Sequence, residues 1–164
     1  MAEPLQAGDR VCDFILTATD GKQYASAQAR KRGLLLFAFY KKSCPVCQLA
    51  MPFLQRFHHQ YAGDAFQVWG IAQEDAATAA EFAEQYHAAF PQLCDTELEV
   101  TENYDLRSVP SLYLVDAGDA ILQSVFAFST EDYNALSQQI AQHTGRDYKP
   151  IVLPEDNAPL YKPG

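Results

Sequence analysis

The chain lacks any apolar run long enough to cross a bilayer. Its longest, Leu34 to Tyr40, is 7 residues, where a spanning helix needs about 20. Positive charge is scarce: 12 Lys and Arg stand against 21 Asp and Glu, a formal net charge of −9. A protein that grips phosphate backbones carries a basic face, so nucleic acid is not an expected partner. The 4 cysteines among 164 residues are too few for a small fold stapled by disulfides. No GxGxxG or GxxxxGK occurs, so no flavin or nucleotide motif is present and no cofactor is expected. There is no second CxxC, no internal repeat and no low-complexity segment. Met1 to Asp9 has no charged-then-apolar stretch of the kind that directs secretion, and a cytoplasmic location is expected unless a leader has been removed.

The residues that are present can build a core. Hydrophobic residues make up 48% of the chain, including 10 Phe, 9 Tyr and 1 Trp, enough for one ordinary domain. Residues 1–145 are expected to form it. Residues 146–164 hold 4 prolines and two apolar clusters, Ile151-Val152-Leu153 and Leu160-Tyr161, and read as an extended C-terminal tail. Residues 11–16 and 22–26 flank Asp20-Gly21, a hairpin signal. Arg30 to Gly33 reads as a solvated basic turn. Leu34 to Phe39 is a continuous apolar run, as in a central strand covered on both faces. Val46, Ala50, Phe53, Leu54, Phe57 and Tyr61 recur at helical spacing, and Pro52 should kink that helix.

Phe66 to Ala72 reads as a second central strand. Ala79, Phe82, Tyr86 and Phe90 mark a helix ended by Pro91, followed by a short strand at Leu93-Cys94 and a short helix over 97–104. Ser111 to Val115 and Ala120 to Phe126 read as an antiparallel hairpin. Ser129 with Asp132 resembles a capping box for a last helix that stops at Gly145. The pattern implies α/β architecture, a mixed central sheet with helices on both faces. His58, His59, His87 and His143 fall on polar helical faces, and Trp69 with the Phe and Tyr positions reads as core.

The chemistry gathers at Cys44-Pro45-Val46-Cys47. The pair lies where a buried strand gives way to a helix, the end of a sheet where α/β folds place their sites. Residues three apart on a helix share a face, within reach of a disulfide. Pro45 suits the first helical position. Cys44 then sits at the helix N-terminus, where unpaired amides favour a thiolate, the form that attacks. Cys47, one turn in, would resolve the mixed disulfide. Lys41 and Lys42 add positive charge nearby. Zinc requires four ligands and the pair supplies two. His58 lies about 16 Å further along the helix axis, so no metal is expected.

These features resemble the thioredoxin superfamily, and within it the TlpA/ResA-like redoxins of the broader AhpC/TSA group. The likeness rests on Phe37-Ala38-Phe39-Tyr40, on Cys44 to Cys47, on Pro52, and on Val109-Pro110-Ser111 followed by the strand Leu112 to Asp116. It covers roughly residues 8–144. It implies a thioredoxin-like fold with an N-terminal hairpin and an inserted helix and strand between Ala72 and Asp95. It also implies a cis bond before Pro110, facing the CxxC, and a Val109 backbone that pairs with substrate. The implied activity is thiol-disulfide exchange with a protein or small-molecule substrate and a thiol electron donor, in a monomer or weak dimer.

Departures stand beside the likeness. Ala38 and Ala50 occupy positions where thioredoxin and TlpA-like reductases carry a carboxylate, and Ser43 replaces an aromatic residue. Glu74 or Asp75 could accept the Cys47 proton, or could be exposed acids opening a helix. A thiol peroxidase is the main rival. The peroxiredoxin motif Pro-x-x-x-Thr-x-x-Cys aligns its cysteine on Cys47, with Cys44 at the threonine and Tyr40 at the proline. Arg107 lies near the position of the peroxide-polarising arginine, and Cys94 or Cys12 could resolve. A redox-regulated binding module is the third reading.

Overall fold

The structure is a computed structural model that describes residues 3–164; Met1 and Ala2, the start of the stretch read above for a secretion signal, lie outside the described residues. The Asp20-Gly21 turn joins β1 (Ile15–Thr17) to β2 (Gln23–Ala25) in an antiparallel hairpin. The hairpin is shorter than expected. At Phe14 the backbone N–H leaves the ladder and donates to Ser26 Oγ at 2.9 Å.

The basic stretch after it corrects the sequence reading. Arg30 closes α1 (Ser26–Arg30) and is buried, not solvated. Its guanidinium donates to both Asp13 oxygens at 2.9 and 2.8 Å and to the carbonyls of Asp116, Ala117 and Gly118 at 3.2, 3.3 and 2.7 Å. A fork of five donors can do this; an ammonium could not. The residue ties the N-terminal segment to the turn that follows the last central strand.

β3 (Leu34–Tyr40) is buried at all 7 positions. It is followed by α2 (Pro45–Tyr61), β4 (Phe66–Ala72), α3 (Ala76–Gln85), β5 (Gln92–Cys94), α4 (Glu99–Asn103), β6 (Ser111–Val115), β7 (Gln123–Phe126), β8 (Phe128–Ser129), α5 (Thr130–Thr144) and β9 (Tyr161–Lys162). The main sheet runs β5-β4-β3-β6-β7. β3 pairs parallel with β4, and β4 with β5; β6 and β7 pair antiparallel. This is the expected mixed sheet, and β3 is its centre.

Alternation along β3 assigns the two faces. Phe37 and Phe39 meet Phe14, Trp69, Tyr104 and Tyr113 on one side. Tyr40, on the other side, stacks on Phe82 of α3, where Phe57 of α2 meets Tyr133 of α5. All six expected inward positions of α2 are buried, and the helix continues through Pro52.

α3 stops earlier than the sequence suggested. Its end is a Schellman arrangement: His87 takes a φ of 54°, its N–H reaches Glu84 O at 3.1 Å, and Ala88 N–H reaches Ala83 O at 2.9 Å. A histidine in that left-handed position gives no glycine signal. Phe90 is therefore outside the helix, yet a loop still buries it, against His58. His58 is accordingly not on a solvated face: its Nδ1 is buried with no hydrogen-bond partner, and burial lowers its pKa. α5 starts as expected, with Ser129 Oγ accepting from Asp132 N–H at 3.1 Å, and ends at Gly145 in the left-handed region.

Removing Arg30 takes from Asp13 its only ion-pair partner among the described residues, leaving the Ser26 hydroxyl, and takes a donor from three carbonyls. Arg30→Gln is expected to lower the unfolding free energy by about 3 kcal/mol, read from urea denaturation. Hydrogen bonds from Arg30 hold the Asp13 carboxyl below its ordinary value. Its share of the stability is complete above the unfolded carboxylate value of about 4 and is lost as pH falls through the folded value. The gap between wild type and Arg30→Gln should hold steady from about pH 7 down to about pH 5 and narrow as the pH falls below about 4.

Candidate active site

Buried β3 ends at Tyr40, and the chain turns through Lys41 to Ser43 into α2. Gln48 Nε2 donates to Lys42 O at 2.9 Å and pins the turn from inside the helix. Glu74, just past the end of parallel neighbour β4, accepts the Lys42 N–H on Oε1. Cys44 is the N-cap of α2, with extended backbone, and Pro45 fills the first helical position. Cys44 Sγ accepts the N–H of Cys47 at 3.2 Å and faces Val109 O at 3.4 Å. An amide aimed at sulfur from the first turn of a helix stabilises negative charge there.

The two thiols occupy different surroundings. Cys44 is half-buried and opens on a cleft of 510 Å³ that also involves Lys41, Arg107, Val109 and Gly164. Cys47 is fully buried, and burial pushes its thiol well above the ordinary range; the hydrogen bond and charge at Cys44 and the charge of Glu74 act in the same direction. Glu74 Oε2 is buried and has no hydrogen-bond partner. Asp75, its neighbour, is exposed and caps α3 by accepting Thr78 N–H at 2.8 Å.

Val109–Pro110 is a cis peptide, as the resemblance implied, and it lies against Cys44. Pro110 and Val109 are buried. The two lysines part company: Lys41 lines the Cys44 cleft, while Lys42 lines an adjoining hollow with Gln48 and Glu74. Arg107 is exposed on the cleft wall. Cys12 and Cys94 are half-buried and do not line the cleft; burial raises both thiols. Among the described residues no group of acids, histidines and cysteines is placed to hold a metal, and no helix is long and apolar enough to cross a membrane.

The sequence reading missed Asp95, which is buried and accepts Val100 N–H, Thr101 N–H and Thr101 Oγ at 3.1, 2.8 and 2.7 Å. It anchors α4, and Thr101 in turn lines the cleft. The return of Gly164 to the cleft was missed too.

With strand, helix cap, cis peptide and paired thiols together, the comparison with known proteins is decisive for kinship. The AhpC/TSA family profile matches residues 7–124. The chain belongs to the AhpC/TSA family. Among curated proteins it is similar to the thiol-disulfide oxidoreductase ResA of Halalkalibacterium halodurans, 24% identical over 119 residues, spanning 72% of this chain and 67% of that one. A Chlorobium tepidum protein assigned as the thiol:disulfide interchange protein DsbE superposes with a TM-score of 0.75 at 24% identity, over 85% of this chain and 98% of that one. The peroxidoxin BcpB of Mycobacterium tuberculosis gives 0.70 at 19% identity, over 86% and 97%. The fold of this AhpC/TSA member is thus shared by exchange enzymes and a peroxidoxin, and the thiols themselves must decide between them.

Thiol reagents read the asymmetry directly. Iodoacetamide at about pH 8, near the ordinary cysteine value, should modify Cys44 on the reduced protein at least about 100-fold faster than Cys47, by mass spectrometry of digests. Equal rates would contradict the burial seen here.

Proposed function

We propose that the chain is a thiol-disulfide oxidoreductase cycling Cys44 and Cys47 between dithiol and disulfide. One observation carries it: Cys44 sulfur is open to the cleft and held by the Cys47 N–H, while Cys47 is buried one turn behind it. The Cys44 thiolate attacks one sulfur of a substrate disulfide. The S–S bond breaks, the leaving substrate sulfur takes a proton, and a mixed disulfide forms. Cys47 then gives up its proton and attacks Cys44 Sγ, releasing the second substrate thiol. Two electrons have passed to the substrate, and a thiol donor restores the dithiol. Val109 and Pro110 form the docking ledge, along which an extended substrate segment pairs with the Val109 backbone.

The second step needs a base, because burial disfavours the Cys47 thiolate. With alanine at positions 38 and 50, Glu74 is the group that fits: its Oε2 is buried without a partner and its charge reaches Cys47. The peroxidase alternative is weakened by exposure. The aligned motif assigns peroxide attack to Cys47, which solvent does not reach. Relatives described as secreted and as an exposed lipoprotein set the cytoplasmic expectation against known extracellular members of the fold.

Insulin reduction and peroxide consumption, measured side by side, test the reading. Cys44→Ser is expected to lose about 100-fold or more of the insulin activity, with little peroxide turnover in any variant. Full activity in Cys44→Ser would remove it as nucleophile. Peroxide turnover that survives in Cys44→Ser and vanishes in Cys47→Ser would establish the peroxidase. Absence of turnover with any thiol or peroxide would leave a binding module. Glu74→Gln should slow resolution of a preformed Cys44 mixed disulfide by about 100-fold, with Cys44 alkylation within about twofold of wild type.

A further inference from the structure

The segment 146–164 does not hang free. Tyr61 and Ser137 hydroxyls meet Lys149 O. Asn134 accepts the N–H groups of Ile151 and Val152 at 2.8 and 2.9 Å and donates to Val152 O at 3.1 Å. Ile151 and Val152 are buried in the core, and Arg56 forks onto Asp156 at 2.6 and 2.8 Å. This part is fastened across α2 and α5. Thr130 next takes Pro159 O and Leu160 O, at 2.9 and 3.0 Å.

Beyond it the chain becomes exposed and pairs as β9 with β8, Phe128 opposite Lys162 and Ser129 opposite Tyr161. β8 follows directly on Ala127, whose N–H donates to Pro110 O at 2.9 Å. The pairing therefore carries residues 162–164 alongside the cis peptide. Gly164 ends up against Val109: a Cβ there would overlap the Val109 carbonyl oxygen and come within 2.9 Å of its carbon and 3.4 Å of Pro110 Cδ. Only a residue without a side chain fits so closely.

We infer that residues 160–164 are a specificity strap: they occupy the Val109–Pro110 ledge beside Cys44, and a protein substrate must displace them before its own extended segment can lie there. The inference rests on the exchange reading for what is excluded, and on geometry for what is occupied. The segment is buried and hydrogen-bonded around Ile151 and Val152 and exposed over residues 160–164, the arrangement that lets the exposed part lift while the rest stays docked. If the ledge is free for about a tenth to a fifth of the time, apparent affinity for an extended substrate is reduced about five- to tenfold.

Gly164→Val and a variant without residues 161–164 test this, each confirmed as folded by its urea midpoint. Both should lower the KM for insulin about five- to tenfold. Both should also raise the ratio of Cys44 labelling by a maleimide on a polyethylene glycol chain to labelling by iodoacetamide, severalfold over wild type. An unchanged or higher KM with an unchanged labelling ratio overturns the strap. Acceleration of both reagents by the same factor also overturns it, since the segment would then shield the sulfur in general and not the ledge. A raised labelling ratio in proteins that reduce no disulfide, wild type included, would keep the occupied ledge and remove the exchange reading.

Discussion

The N–H of Cys47 aimed at the sulfur of Cys44 is a short interaction, yet most of the molecule is arranged around it. It exists because α2 begins at Cys44 and nowhere else. Pro45 gives up no helical hydrogen bond at the first position, and the side chain of Cys44 caps the helix it starts. The helix begins there because β3, buried along its whole length at the centre of the sheet, fixes where the chain emerges. Gln48 and Glu74 then hold the Lys42 backbone between strand and helix from two sides. Displacing any of these would move the amide relative to the sulfur.

The same placement separates the two thiols. The N-cap leaves Cys44 at the mouth of a cleft; one helical turn takes Cys47 into the core between α2 and the sheet. Burial that keeps Cys47 from solvent also opposes its ionisation, which is why the proposed resolving step calls on a base. In this chain Ala38 and Ala50 carry no carboxylate, and the proposed acid, Glu74, lies just past the end of the neighbouring strand. Because β3 and β4 are parallel and in register from Leu34–Phe66 to Tyr40–Ala72, residues just past their ends meet, as Lys42 and Glu74 do. Sheet topology, not proximity in sequence, brings Glu74 to the turn before Cys44.

Much of this was legible beforehand, for physical reasons. A continuous apolar strand, a helical apolar face from Val46 to Tyr61 and a CxxC at their junction are local patterns, and each is found where expected. The cis bond at Pro110 came from family likeness and not from any local rule. What was not legible is long-range. Arg30 reads as one of a run of surface cations until Asp13 and the carbonyls of 116–118 are brought around it. The end of α3 depends on a histidine accepting a left-handed conformation. The apolar cluster Ile151-Val152 announces that the tail docks somewhere, but only the folded α5, through Asn134, says where.

Membership of the AhpC/TSA family, similarity to ResA and the fold shared with DsbE and BcpB leave the chemistry to the thiols, and we assign the first attack to the half-buried sulfur at the helix cap. The most direct measurement is the identity of the sulfur that carries substrate. Cys47→Ser, mixed with an oxidised protein substrate and quenched in acid, should accumulate a mixed disulfide that peptide mapping locates on Cys44, and Cys44→Ser should accumulate none. Substrate captured on Cys47 in Cys44→Ser, at a rate matching the capture in Cys47→Ser, would contradict the account.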